Sequence, residues 1–96
     1  MQAIVLITDS EALPAFERAL MERAEHGFTI VPSVVGRGRT GLKAGSRVHP
    51  GASSLLFTVV PDDQAEPTLV FLRQVRDQAG ATAATKIFVS PAQAAD

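Results

Sequence analysis

Four short apolar segments alternate with two amphipathic segments along this chain of 96 residues. Aliphatic and β-branched residues dominate the apolar segments, which predicts strands over 3–8, 28–35, 53–60 and 85–89. Apolar residues at helical spacing predict helices over 12–26 and 61–79. The order βαββαβ favours an α+β, ferredoxin-like sandwich, in which two helices cover one face of a four-stranded antiparallel sheet.

The length admits a single domain spanning residues 1–96. In such a sandwich the helices cover only one face of the sheet. The predicted strands are too apolar for the other face to remain in water. We therefore expect subunits to associate through their sheets, as a dimer or a trimer.

Several single residues refine these predicted elements. Gly27 follows the first helix and predicts a left-handed helix stop. Pro32 lies inside the second strand, which predicts a bulge or an edge position because proline cannot donate a ladder hydrogen bond. Asp63 and Glu66 have the spacing of a capping box at the start of the second helix.

The segment 36–52 shows neither helical nor strand periodicity and is predicted to be a long loop. Residues 36–51 contain five of the seven glycines and four of the nine Lys and Arg residues, without any acidic side chain. Closely spaced glycines expose backbone N–H groups, and arginines pair with phosphate or carboxylate oxygens. Two interpretations stay open: an anion-binding loop that orders on binding, or a solvated connection between two strands.

Two phosphate-binding motifs match this loop only in part. Gly36, Gly38 and Gly41 have the dinucleotide spacing, but that motif requires a helix to begin at its last glycine. Glycines and a proline soon after Gly41 argue against such a helix. Leu42 occupies the lysine position of a P-loop, so that motif is excluded as well.

Composition excludes several classes of function. The chain has no cysteine and two histidines, so disulfides, thiolate metal sites and a histidine-rich metal cluster are excluded. A net charge of −1 argues against a nucleic-acid partner and against attraction to an anionic membrane. No targeting or membrane-spanning segment is visible, which predicts a cytoplasmic protein without membrane insertion.

No set of acid, base and nucleophile can be assembled from the chain. The sequence therefore predicts no enzyme, no catalytic residue and no required cofactor. Glu22 and His26 lie one helical turn apart, and with Glu25 they could hold a metal across a subunit boundary. A surface contact explains the same spacing, and no metal site is predicted.

Four motifs in order resemble the PII signalling proteins, the nitrogen regulatory protein PII superfamily. They are Gly27-Phe28-Thr29, Gly36-x-Gly38-Arg39, Val59-Val60-Pro61-Asp62-Asp63 and Lys86-Ile87-Phe88-Val89. The resemblance covers essentially the whole chain. It implies a ferredoxin-like homotrimer that binds an adenine nucleotide, ATP, ADP or AMP, in clefts between subunits.

The resemblance also assigns roles to residues. Thr29 would face the base or ribose, Gly36, Gly38 and Arg39 would line the phosphate site, and Lys86 would reach the phosphates from across the cleft. The complete set of predicted ligand-binding residues is Thr29, Gly36, Arg37, Gly38, Arg39, Thr40, Arg47 and Lys86. Ordering of loop 36–52 by the ligand would then regulate a partner protein, a transporter or an enzyme.

The chain resembles a short, divergent member of that superfamily. It has no tyrosine, so a switch by tyrosine modification cannot operate. Thr40 stands where standard members have a glutamine that helps hold magnesium and 2-oxoglutarate.

Two other functions stay open from the sequence alone. One is a metal-associated trimer like the CutA proteins, which share the fold. The other is a module whose basic loop docks on an acidic protein surface without any small ligand.

Overall fold

The computed structural model describes residues 1–23, 27–34, 36–38, 41–43 and 53–96, and it describes side chains in all of these except 36–38 and 41–43. The elements are β1 (Gln2–Asp9), α1 (Leu13–Arg23), β2 (Thr29–Val34), β3 (Gly36–Gly38), β4 (Gly41–Lys43), β5 (Ser53–Val60), α2 (Asp62–Gln78) and β6 (Lys86–Pro91). The four longer strands and both helices occur in the predicted order.

The four longer strands form one sheet in the order β2-β5-β1-β6. Every neighbouring pair is antiparallel. In the register, Leu6 of β1 lies opposite Leu56 of β5 and Ile87 of β6. The predicted α+β, ferredoxin-like fold is confirmed.

The core lies between the sheet and the two helices. Alternate residues of β1 and β5 are buried, as expected when one face of a strand is covered. Burying each large aliphatic or aromatic side chain contributes about 1.5–3 kcal/mol. The buried core residues are Ile4, Leu6, Phe16, Leu20, Leu56, Val60, Leu69, Leu72 and Val75.

The edge strand β2 contains the bulge that Pro32 predicts. Val31 pairs with Leu55, but the next pair joins Val34 to Ser53, so the register shifts by one residue. Within the bulge, Ser33 has a left-handed backbone with φ of 57°. The bulge lies at the end of β2, where Val34 makes the last pair with β5.

Loop 36–52 was expected to lack regular structure, and this expectation is wrong for its described part. Gly36 pairs with Lys43 and Gly38 pairs with Gly41, which makes a short antiparallel hairpin of β3 and β4. Gly41 thus begins a strand, and the helix that a dinucleotide motif needs does not start there. Glycine and charged residues carry no apolar alternation, so periodicity could not predict this hairpin.

The start of α2 differs from the predicted capping box. The helix begins at Asp62, with Pro61 as its N-cap and no side-chain capping hydrogen bond, so Asp63 already lies within the helix. Asp62 instead lies 2.9 Å from the N-terminal ammonium of Met1 and accepts a hydrogen bond from Gln2 Nε2. The ammonium contact, followed by the Gln2 contact, holds the pKa of Asp62 below its usual value.

The two glycines outside the loop have different backbones. Gly80 has φ of 67° and ends α2: its N–H bonds to Asp77 O, and the N–H of Ala81 bonds to Arg76 O, the pattern of a Schellman motif. Among the described glycines, Gly27 does not have the predicted left-handed backbone. It lies beyond the described end of α1, and its carbonyl accepts the hydroxyl of Thr58 at 2.6 Å.

We expect Gly80→Ala to lower the free energy of unfolding by about 1–2 kcal/mol, because a Cβ disfavours the left-handed backbone. Both glycines have open space around the Cβ position, so steric overlap does not enter the comparison. Gly27→Ala is the matched control and should change stability little. Urea unfolding of both variants measures the difference, and equal stability of the two variants would contradict this explanation of Gly80.

Candidate functional site

The sheet face turned away from the helices carries apolar residues at most of its positions. Directly opposed residues on antiparallel strands point to the same face, so the register orders this outer face into rows. One row is Lys86, Ile7, Leu55 and Val31, and the next is Phe88, Val5, Phe57 and Thr29. Phe88 is 56% exposed and Phe57 is 38% exposed. We call this surface the outer sheet face.

The outer sheet face carries two of the predicted ligand-binding residues at opposite edges. Thr29 lies on β2, opposite Phe57, and Lys86 lies on β6, opposite Ile7. Both side chains are exposed. Because three strand spacings separate β2 from β6, the two edges lie about 14 Å apart. Within one chain, the apolar side chains of β5 and β1 on this face lie between Thr29 and Lys86.

The described base of the loop lies at the same end of the sheet as Lys86. β2 ends at Val34 opposite Ser53, and Ser53 lies opposite Asp9, the last residue of β1. The backbones of Gly36, Arg37 and Gly38 follow as β3. The other predicted loop residues, Arg39, Thr40 and Arg47, lie outside the described residues.

The turn between α2 and β6 carries the predicted phosphate-binding lysine. Lys86 is the first residue of β6 and has no ion-pair partner among the residues whose side chains are described. Before it, Thr82 Oγ1 donates to Asp77 Oδ1 at 2.9 Å. Just ahead of Lys86, Thr85 Oγ1 lies 2.8 Å from Thr8 Oγ1 in a buried hydroxyl pair.

Neither Thr8 nor Thr85 is among the residues for which a role was predicted. The two residues are 77 positions apart in the chain, and each is a threonine next to an apolar strand segment. The available signal was the alternation of β1, which places Thr8 on the buried face where a hydroxyl needs a partner. No local motif could identify Thr85 as that partner.

Described residues on the helix side of the sheet line two grooves. One, of about 250 Å³, opens between the end of β1 and the turn after α2, where Asp9, Glu11 and Gly80 line it. The other, of about 270 Å³, lies between the helices and includes Arg18, Glu22 and Gln78. Neither groove contains a predicted ligand-binding residue.

For the metal alternative, Glu22 is described, whereas Glu25 and His26 lie outside the described residues. Among the described residues, no three acidic or histidine side chains form a group able to hold a metal ion. Within that same part of the chain, no helix has the length and hydropathy required to cross a membrane.

Comparison with known proteins decides the family. The family model described as "Nitrogen regulatory protein P-II" matches residues 1–96. The chain belongs to the PII family. A comparison with curated proteins gave no match.

Solved structures share the fold of this PII-family chain at low identity. A DUF3240 family protein from Shewanella baltica OS155 superposes with a TM-score of 0.75 at 18% identity, covering 99% of this chain and 92% of that chain. The PII-like protein CPII from Thiomonas intermedia K12, solved with ADP, AMP and bicarbonate bound, gives a TM-score of 0.68 at 21% identity, covering 93% of this chain and 82% of that chain. These likenesses show a common fold.

The pKa of Asp77 offers a test of the turn that leads to Lys86. The hydrogen bond from Arg76 Nε at 2.9 Å lowers this pKa most, and the hydrogen bond from Thr82 lowers it further. We therefore expect Arg76→Ala to raise the pKa of Asp77 more than Thr82→Val does. Titration of the Asp77 carboxyl carbon by NMR measures both changes.

The lowered pKa of Asp77 determines how this residue changes the free energy of unfolding with pH. Because the pKa of Asp77 is lower in the folded state, its stabilising effect is present above the ordinary aspartate pKa. It is lost as the pH falls through the lowered folded value. Asp77→Asn should remove this part of the acid dependence, and an unchanged acid-unfolding curve would contradict the assignment.

Proposed function

We propose that this PII-family protein is a trimeric regulator that binds an adenine nucleotide in clefts between its subunits. It then regulates a transporter or an enzyme through loop 36–52. The nucleotide is an effector, and we propose no reaction and no resident cofactor. We also propose a cytoplasmic location.

The position of Thr29 and Lys86 at opposite edges of one sheet carries this proposal. In the proposed trimer, the β2 edge of one subunit lies beside the β6 edge of its neighbour, so that one ligand contacts Thr29 from one subunit and Lys86 from the other. In a closed ring each subunit offers both edges once, which gives one site for every chain. ATP, ADP or AMP supplies a base for the Thr29 side and phosphates for Lys86.

The apolar outer sheet face supports assembly. A contiguous exposed patch that includes Phe57, Phe88 and Val31 is unfavourable in water, and burying it between copies removes that cost. Association through this face would also bring the edges of neighbouring sheets close to each other. The same interaction would therefore stabilise the trimer and complete the binding site.

The basic loop supports an anionic effector. Arg37, Arg39 and Arg47 lie within a segment that has no acidic residue, and its first part forms the β3–β4 hairpin. Charge-assisted hydrogen bonds from arginine to phosphate are about twice as strong as neutral ones. A ligand that binds one arrangement of the loop more tightly shifts the population toward it, and the partner recognises that arrangement.

Bicarbonate is a second candidate effector, because it is bound in the structures of CPII. One structure of CPII has ADP and bicarbonate bound, and another has ADP, AMP and bicarbonate bound. We therefore propose bicarbonate as the second effector to examine after the adenine nucleotides. The CutA-like alternative would instead require bound metal, and a ligand-independent docking module would bind no small molecule at all.

We expect Phe88→Glu to dissociate the trimer, because it places a charge in the apolar interface. Met21→Glu is the matched control: Met21 is 65% exposed on α1, outside the outer sheet face. Sedimentation equilibrium should give a trimer for the unchanged protein and for Met21→Glu, and smaller species for Phe88→Glu. If Phe88→Glu still forms a trimer, the outer sheet face is not the interface between subunits.

Isothermal titration with ATP, ADP and AMP, with and without magnesium and bicarbonate, tests the effector. We expect one site per chain, with Arg39→Ala and Lys86→Ala each weakening the binding by about 1–3 kcal/mol. Arg73→Ala is the charge-matched control, because Arg73 lies on α2 and pairs with Glu66 at 3.6 Å. Absence of binding by the unchanged protein would refute the nucleotide proposal.

A further inference from the structure

Threonine hydroxyls form hydrogen bonds at both ends of the turn between α2 and β6. At its start Thr82 donates to Asp77, and at its end Thr85 pairs with Thr8 of β1 at 2.8 Å. Between these two points the turn is made of alanines, and Ala84 N bonds back to Ala81 O. Lys86 follows Thr85 directly in the chain.

The Thr8–Thr85 pair lies inside the protein. Thr8 is 1% exposed and Thr85 is 7% exposed. A buried hydroxyl without a partner costs about 1–3 kcal/mol. Separating Thr8 from Thr85 is therefore unfavourable, because it leaves both hydroxyls without a hydrogen bond. The pair therefore ties the last residue of the turn to the central strand of the sheet.

We propose that Thr85, held by Thr8, is a positioning residue that fixes Lys86 for its contact with the bound anion. This inference rests on the proposed function, because it concerns the same nucleotide site. Lysine has a long and flexible side chain, and immobilising it on binding costs entropy. If the backbone of Lys86 is already fixed before the ligand binds, the entropy lost on binding is smaller.

Thr85 acts through Lys86 because it does not reach the ligand itself. Thr8 is on the buried face of β1, and Thr85 meets it on the helix side of the sheet. Lys86 lies opposite Ile7 and points to the outer sheet face. Successive residues of an extended chain point to opposite faces, so the sheet separates the Thr85 hydroxyl from a ligand on the Lys86 side.

The same end of the sheet offers a matched control. Ser10 Oγ lies 2.8 Å from Ser54 Oγ, and Ser54 is 1% exposed. This pair has the chemistry of the Thr8–Thr85 pair, but it joins β5 to the residue after β1. Ser54→Ala therefore removes a hydroxyl–hydroxyl hydrogen bond that is partly buried, without altering the turn before Lys86.

The experiment is a double-mutant cycle on ADP affinity. Thr85→Val, Thr85→Ser and Ser54→Ala are each made in the unchanged chain and in Lys86→Ala, and ADP binding is measured by titration. We expect Thr85→Val to weaken ADP binding about threefold to tenfold when Lys86 is present, as loss of one net hydrogen bond implies. In Lys86→Ala the same change should have almost no effect. Thr85→Ser should restore the affinity, and Ser54→Ala should lower stability alone.

An equal effect of Thr85→Val with and without Lys86 overturns the positioning role, as does an equal loss of affinity in Ser54→Ala. If Thr85→Val does not fold, Thr8→Val with Thr85→Val replaces it, because removing both partners leaves no hydroxyl unpaired. Weaker ADP binding by this double variant supports the proposal, and unchanged binding overturns it.

Amide hydrogen exchange in the absence of nucleotide tests the attachment of the turn to β1 independently of nucleotide binding. We expect the backbone amides of 84–87 to exchange faster in Thr85→Val than in Ser54→Ala, because the turn has lost its attachment to β1. If the unchanged protein binds no nucleotide, the proposed function fails while exchange still tests the attachment. Equal exchange in the two variants overturns the attachment itself.

Discussion

The whole arrangement depends on the central position of β1. This strand pairs with β5 along its full length on one side and with β6 on the other. Ile4 and Leu6 contact the helices, whereas Val5 and Ile7 point to the outer sheet face. Shifting β1 by a single residue would exchange these two faces, so the core and the position of Lys86 opposite Ile7 are determined together.

Periodicity predicted the elements whose burial is regular. The helical spacing of Leu69, Leu72, Val75 and Ala79 predicts one apolar face for α2, and the first three are buried. Ala79, which follows the last residue of the helix, is exposed. The β3–β4 hairpin could not be predicted this way, because its pairing depends on backbone hydrogen bonds between glycine-rich segments. The Thr8–Thr85 contact depends on the fold bringing distant residues together. Regular burial leaves a local pattern in the sequence, and a single long-range polar contact does not.

The fold and the candidate site place different demands on the sequence. Structures that share only 18–21% identity with this chain have the same fold, because many apolar sequences satisfy the same alternation. A ligand site depends instead on a few polar side chains at fixed positions, where a single replacement matters. Thr29 and Lys86 are therefore more informative about function here than the superposition of the whole chain.

The bulge in β2 has a consequence for how copies of the protein can associate. An edge strand presents unpaired N–H and C=O groups, to which a strand of another molecule can add. In β2 the outward ladder is interrupted, since Pro32 has no N–H and Ser33 turns the backbone out of the extended conformation. An incoming strand cannot pair along this edge without a break. On this side, the interrupted ladder opposes the addition of further strands, which is the step by which an exposed sheet edge grows into a fibril.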